Sequence, residues 1–342
     1  MRVLVTGGAG FIGSHLVEAL LGRGDEVWVI DDLSTGRREN IAHLESNPQF
    51  HWCWGTVLDK KLVTETVAKC DLVFHLAAAV GVSYVIKRPL KSLITNIRGA
   101  EVVLEAASAE GKKVVLFSSS EVYGKGNCVP FKESDDRVLG PTAVSRWSYA
   151  TGKAVDEFLA LAYWLEKSLP TVVVRCFNSC GPRQTGDYGM VVPRFVTQAL
   201  LGEPISVYGD GQQSRCFSYV GDVVRGVLLL AEHQGAVGEV FNIGTDEEIT
   251  IERLAFKIKE ITGSSSPVVH VPYEEAYASG FEDMKRRVPD LSKIGALVGY
   301  SPSISLDKLL VLTVNDICQR LDIAPPRGLP VVESSSALVG CS

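Results

Sequence analysis

Nowhere does this chain run to the roughly 18 uninterrupted apolar residues of a membrane-spanning helix, so no span is expected. It also lacks an excess of positive charge: 34 Lys and Arg against 40 Asp and Glu give a net charge of -6. With no local basic patch visible, neither nucleic acid nor an anionic membrane is expected as a partner. The eight cysteines stand singly, without C-x-x-C pairs or neighbouring histidines, which argues against a zinc site or a disulfide framework and for reduced thiols in a cytoplasm. No internal repeat is visible. The opening MRVLVTGGAGFIGSHLVEALL is apolar but broken by glycines, with no basic segment leading a continuous apolar one. It reads as a strand and a helix rather than a secretory signal. What the chain does have is 342 residues, 46% of them hydrophobic and 22% charged, enough for one large domain or two intimately joined ones.

Short β-branched runs recur at Val3–Val5, Val27–Ile30, Leu72–Leu76, Val114–Phe117 and Val172–Val174, separated by stretches with helical apolar spacing. That alternation predicts an α/β fold, a doubly wound parallel sheet with helices on both faces. From Gly181 the pattern changes to Gly- and Pro-punctuated segments such as GPRQTGDYGMVVP and VYGDGQQSRCF, which suit a smaller, interleaved substrate-binding lobe. Glu239–Ile243 reads as a further strand returning to the sheet. The expected division is residues 1–178 with return segments around 215–245 for the nucleotide domain, and 179–214 with 246–320 for the lobe. Residues 324–342, rich in Pro and Ser without apolar period, are expected to form a loose tail.

After the strand RVLVT comes Gly7-Gly8-Ala9-Gly10-Phe11-Ile12-Gly13, opening a helix whose apolar face is Ile12, Leu16 and Leu20. Glycines here permit a tight turn and close backbone approach, and they set a dinucleotide pyrophosphate on the helix N-terminus. The second strand ends at Asp31-Asp32; a carboxylate there accepts from the adenosine ribose and repels a 2′-phosphate, which selects NAD over NADP.

Tyr149, Lys153, Glu157 and Leu161 fall on one face of a helix predicted over Ser145–Leu165. A phenol with an ordinary pKa of about 10 is a weak base. A lysine ammonium and a nicotinamide cation nearby would lower that value. Tyr149 could then take a proton from a substrate hydroxyl, with Ser119 sharing the hydrogen bond. A Tyr and a Lys four apart also occur on ordinary amphipathic helices. Ser118-Ser119-Ser120-Glu121 at the end of the strand VVLF favours the catalytic reading, because ligands of open α/β sheets lie at strand carboxyl ends.

TGGAGFIG, Asp31, HLAA at His75–Ala78, Asn96, SSSEVYG and the Tyr149/Lys153 pair occur in one order over roughly residues 1 to 320. In these motifs the chain resembles the extended short-chain dehydrogenase/reductase family, the NAD-dependent nucleotide-sugar epimerases, dehydratases and decarboxylases. The resemblance implies a Rossmann fold, NAD reduced and reoxidised within one turnover, and a homodimer built on helices over Leu93–Ala109 and Ser145–Leu165. It assigns Gly7, Gly10, Phe11, Ile12, Gly13, Asp31, Asp32, Ala77, Ala78, Asn96, Tyr149 and Lys153 to the cofactor. Asn178, Arg194, Tyr208, Arg215 and Arg287 fall to the nucleotide diphosphate and sugar. Thr56 departs from the pattern, where the family commonly has an Asp facing the adenine.

SEVYG with Arg146-Trp147-Ser148-Tyr149 is similar to the UDP-glucuronic acid decarboxylases and the related UDP-apiose/xylose synthases. Ser120 stands where sugar 4,6-dehydratases carry an Asp, and Glu121 where 4-epimerases more often carry a small neutral residue. Ala79-Val80-Gly81-Val82 is closer to epimerases. The expected catalytic set is Ser119, Ser120, Glu121, Tyr149 and Lys153, with Glu121 raising the energy of a substrate carboxylate beside it. The first reading is conversion of UDP-glucuronic acid to UDP-xylose or its 4-keto precursor. A 4-epimerase of a UDP-hexose or UDP-hexuronic acid comes second. A non-catalytic NAD-sensing protein is the third, since a fold alone never fixes function.

Overall fold

The structure, a computed structural model, describes residues 1–329 apart from 127, 188 and 277–283. Most of the tail expected over 324–342 therefore lies outside the described residues.

All the predicted strands form, as β1 (Arg2–Thr6), β2 (Glu26–Asp31), β4 (Leu72–His75), β5 (Lys113–Ser119), β6 (Thr171–Cys176) and the returning strand Glu239–Ile243. One more, β3 (Phe50–Trp54), is not apparent in the sequence. Its FHWCW is aromatic and polar rather than aliphatic, and it can be so because it is an edge strand. The seven strands are parallel, in the order β3-β2-β1-β4-β5-β6-Glu239–Ile243. The chain runs outward from β1 to β3 and then restarts at β4 on the other side of β1. A crevice for ligands opens at that reversal, beyond the carboxyl ends of β1 and β4.

Both faces of the sheet are buried, which is why its strands are near-continuous Val, Ile and Leu. Val3, Val5, Val27, Val29 and Phe74 point to the face covered by α1 (Phe11–Gly22) and the helix Val220–Glu232. Leu4, Ile30, Val73 and Leu116 point to the other, with Val63 and Val67 of α2 (Lys60–Val67) and Val103 and Leu104 of α4 (Pro89–Ala109). Alternation within each strand thus serves two helical layers, and each fully buried side chain contributes about 1.5–3 kcal/mol. A short α3 (Val82–Lys87) precedes α4, and Pro89 at its first turn suits a position whose N–H has no helical partner.

The Tyr149 helix, α5, spans Trp147–Lys167, starting two residues later than expected because residues 142–146 are spent in turns. Beyond β6, the helices Val191–Leu201, Ile251–Thr262 and Leu306–Leu321 enclose a separate core with Val207, Leu254 and Leu310. The strands Ile205–Tyr208 and Val268–Val271 pair in parallel beside it. Among the described residues no helix is long and apolar enough to cross a membrane, and seven cysteines are free.

Candidate active site

The turn after β1 is built to let something lie against it. Gly7 has φ of 73°, and a Cβ there would lie 2.8 Å from the backbone nitrogen of Ala77 in the loop after β4. A Cβ on Gly13 would lie 2.2 Å from the Gly7 carbonyl. No larger residue fits either point. Helix α1 begins at Phe11 with no side chain capping its first turn, so its free N–H groups and dipole remain available to an anion. Asp31 closes the nucleotide end. Its Oδ2 accepts from Ala9 N at 2.9 Å and its Oδ1 from Leu33 N at 2.8 Å, and burial pushes its pKa up. A carboxylate has about four acceptor positions, so two remain for ribose hydroxyls. Asp32 accepts from Ser34 N at 2.9 Å. These residues fit a dinucleotide.

Gly7, Gly10, Phe11, Ile12, Gly13, Asp31, Asp32, Ala77 and Ala78 all line one cleft of about 460 Å³. Ser119, Ser120, Glu121, Tyr149 and Lys153 line its middle, and Asn178, Arg194, Tyr208, Arg215 and Arg287 its far end. Asn96 does not line it. Buried, it accepts from Ala79 N at 2.7 Å, so it fixes the loop that carries Ala77 and Ala78.

Ser119 ends β5. Its Oγ accepts from Glu121 N at 3.2 Å, capping the turn Ser120–Tyr123, and it is hydrogen-bonded to the Tyr149 phenol. Lys153 departs from expectation. Its ammonium donates to the Phe117 carbonyl at 2.9 Å and to Asp156 at 3.2 Å. With its charge answered by Asp156, it does not bring the phenol down. Burial, followed by the charges of Glu121 and Asp156, pushes the Tyr149 pKa up instead.

Glu121 also differs from the lone repulsive carboxylate expected. Its two oxygens meet Arg146 Nη1 at 2.6 Å and Arg287 Nη1 at 2.8 Å, all three side chains being buried. Burial alone would raise its pKa; Arg146 and Arg287, with Arg215 further off, more than reverse that and hold it at about 2. Arg287 also donates to Ser120 Oγ at 3.3 Å. The cluster is thus one anion amid three cations, with surplus positive charge to receive an anionic substrate group. At the far end, the Arg194 guanidinium carbon stands 3.8 Å from the centre of the Tyr208 ring, Asn178 donates to the Cys216 carbonyl at 3.2 Å, and Arg215 donates to Ser214 O at 2.7 Å.

Arg146 is absent from the expected catalytic set, although it stands three residues before Tyr149; a cation at the mouth of the Tyr149 helix was the available signal. The loop 181–187 is read from the sequence only as part of the substrate-binding lobe, with none of its residues in the expected site. Arg183, in a left-handed conformation with φ of 69°, pairs with Glu18 of α1 at 2.5 Å, and Arg37 pairs with Asp187 at 2.8 Å. These contacts draw the loop over the glycine turn, where Arg183, Gln184 and Thr185 join the cleft wall.

Comparison with known proteins gives a match to the NAD dependent epimerase/dehydratase family over residues 3–244. A UDP-N-acetyl-alpha-D-glucosaminuronate decarboxylase from Bacillus cytotoxicus is 42% identical over 314 residues, 92% of this chain and 96% of the relative. UDP-glucuronic acid decarboxylase 1 from Arabidopsis thaliana is 38% identical over 321 residues, 94% of this chain and 71% of the relative. Among solved structures, UDP-glucuronic acid 4-epimerase from Bacillus cereus, in complex with UDP-glucuronic acid and NAD, superposes with a TM-score of 0.85 at 31% identity, covering 94% of this chain and all of that one.

Proposed function

The chain belongs to the NAD dependent epimerase/dehydratase family, and on that premise we propose that it oxidises UDP-glucuronic acid at sugar C4 and releases CO2, giving UDP-xylose or its 4-keto precursor. The observation that carries this reading is Glu121, held ionised between Arg146 and Arg287 beside Ser119 and Tyr149. The sugar carboxylate is the substrate group such a cluster would read.

When bound, NAD supplies a reversible hydride acceptor at sugar C4 and the positive charge of its nicotinamide ring. Tyr149, with Ser119 holding the sugar oxygen, takes the C4 hydroxyl proton as that carbon is oxidised. The C5–C6 bond then breaks, its electron pair passing into the C4 carbonyl as an enolate, and CO2 leaves; C5 takes up a proton from solvent, which gives the 4-keto precursor, and return of the hydride to C4 with the Tyr149 proton to its oxygen would give UDP-xylose. Arg146 and Arg287 recognise the sugar carboxylate, while Glu121 answers much of their charge. The carboxylate is therefore bound without a full ion pair, and losing its charge costs less. Arg194, Arg215, Asn178 and Tyr208 hold the UDP portion, arginine forks suiting phosphate oxygens.

A second reading, 4-epimerisation, is supported by the likeness to the Bacillus cereus enzyme and by Ala79–Val82. Incubation with UDP-glucuronic acid and with its 2-acetamido counterpart, followed by NMR, separates these. Released CO2 with a UDP-pentose is the expected outcome, the 2-acetamido sugar reporting which ring substituent at C2 is accepted. UDP-galacturonic acid would overturn it.

The same reading includes a homodimer in a reducing cytoplasm. Helices α4 and α5 pack side by side, and Leu90 of α4 with Phe158 and Leu165 of α5 are 71%, 62% and 79% exposed, apolar side chains that the same pair of helices on a second copy would cover. Light scattering on the purified protein tests this; a monomer at micromolar concentration would refute it.

A further inference from the structure

One buried carboxylate has no part in the mechanism above. Asp156 lies on α5 three residues after Lys153, and the two side chains are 0% and 3% exposed. Asp156 Oδ2 accepts from the Lys153 ammonium at 3.2 Å, while Oδ1 has no hydrogen-bond partner. A carboxylate kept wholly from water with one oxygen unsatisfied is costly to bury. A pair serving only to fasten α5 would do better as apolar side chains. What the pair does achieve is directional: it draws the ammonium toward Asp156 and the Phe117 carbonyl, one turn along from the Tyr149 phenol.

We propose that Asp156 is a positioning residue that sets the pH range of catalysis, acting on Tyr149 by its charge and by its hold on Lys153. The inference rests on Tyr149 being the base of the proposed oxidation, not on the loss of CO2.

The groups around the pair leave this balance to Asp156. Tyr149 is faced by Ser119 from β5, Glu121 from the following turn, Cys176 from β6, and Asp156 from its own helix. Lys153 is further faced by His75 of β4 and Cys176. Burial holds the His75 pKa at about 3 and the Cys176 pKa at about 12, so both are neutral across the working range. Glu121 also raises the Tyr149 pKa, ahead of Asp156, but it stays held by its arginines whatever stands at position 156, and Glu157, beside Asp156, is answered by Arg175 at 2.7 Å. The charges that a substitution at 156 changes are those of Asp156 and, through it, Lys153. Asp156 stands seven residues from Tyr149, roughly 10 Å along the helix. Across that distance at an effective dielectric constant of about 20, one charge moves a proton equilibrium by about one pH unit.

The experiment compares wild type with D156N and D156E as NAD-loaded full-length protein, in two ways. The pH profile of kcat/KM for UDP-glucuronic acid is measured first. The Tyr149 ionisation is then followed by NMR of 13Cζ-labelled tyrosine, the resonance being assigned by its absence in Y149F. In D156N the Tyr149 midpoint and the acid limb are expected to fall by about one pH unit. The basic limb should fall as well, because a buried ammonium without its counter-ion loses its proton more readily. D156E should stay near wild type. A D156N protein that turns over more slowly with both limbs and the NMR midpoint in place would overturn the proposal and leave Asp156 a purely structural role. Should D156N fail to fold, D156S gives the same comparison. If UDP-glucuronic acid is not a substrate, the proposed reaction fails but the NMR midpoint still decides this point.

Discussion

Replacing Glu121 by Gln separates the role assigned to that carboxylate from a merely structural one. Glutamine keeps the shape but removes the charge that meets Arg146 at 2.6 Å and Arg287 at 2.8 Å. It can accept from one guanidinium and turns an NH₂ toward the other. The two arginines can then form full ion pairs with the sugar carboxylate. Charge-assisted hydrogen bonds of this kind contribute about 1.5–3 kcal/mol, and they are lost as CO2 forms, so they stabilise the bound acid more than the transition state. At 1.36 kcal/mol per tenfold, CO2 release in E121Q should slow by roughly 10- to 100-fold while KM stays level or falls. Oxidation at C4 precedes the C–C cleavage and should be affected less, so a UDP-4-keto-hexuronic acid should build up. The assay is time-resolved 13C NMR with UDP-[13C]glucuronic acid, with a thermal melt to establish that the variant is folded. A fall in kcat matched by a rise in KM would refute the reasoning and leave Glu121 as a brace for the two arginines. An unchanged kcat would refute it too.

Three further outcomes follow from the geometry. A methyl group at Gly13 meets the Gly7 carbonyl at 2.2 Å, so Gly13→Ala should abolish or greatly weaken NAD binding, read by fluorescence titration; tight binding would mean the turn yields more readily than its contacts suggest. Asp31→Ser removes the charge that repels a 2′-phosphate and should narrow the preference for NAD over NADP by roughly tenfold or more, about 1.4 kcal/mol, measured as the ratio of dissociation constants; an unchanged ratio would place selection elsewhere. Stability should be level between about pH 7 and pH 8 and fall in acid. His75 and His15 are buried neutral with pKa values of about 3 and about 4 against an ordinary 6.5. Depressed in the folded state, they contribute stability above pH 6.5 that is lost as pH falls toward those values. Glu121, at about 2 against 4.5, adds roughly 3 kcal/mol that is lost between pH 4.5 and 2. Thermal melts should therefore decline from pH 6.5 and steepen below 4.5, and His75→Gln should flatten the upper part; a melt unaffected by pH down to 4 would contradict these burials.

What could be read from the sequence was whatever depends on local spacing. Val3–Val5 and Val114–Phe117 had to be strands because parallel sheets bury both faces and therefore select unbroken β-branched runs. Gly7 and Gly13 had to be glycine because backbone passes within 3 Å of where a Cβ would stand. The edge strand Phe50–Trp54 escaped for the complementary reason: with one neighbour and partial exposure, its composition is free to look like a loop.

The site residues show the same division at the level of chemistry. Tyr149 and Lys153 were legible as a pair because four residues make one helical turn, yet the direction of the Lys153 ammonium depends on Phe117, which is distant in sequence, and on Asp156. Glu121 was legible as a carboxylate at a strand end. Its ionisation is decided by Arg146 and by Arg287, 166 positions further on, which only the fold brings within 3 Å. A lone carboxylate in that place would repel a uronic acid; one between two guanidiniums moderates their hold on it. The same residue type thus gives opposite binding consequences according to its partners, and the substrate charge that the cleft accepts follows from the whole cluster, with its surplus of positive charge, and not from Glu121 alone.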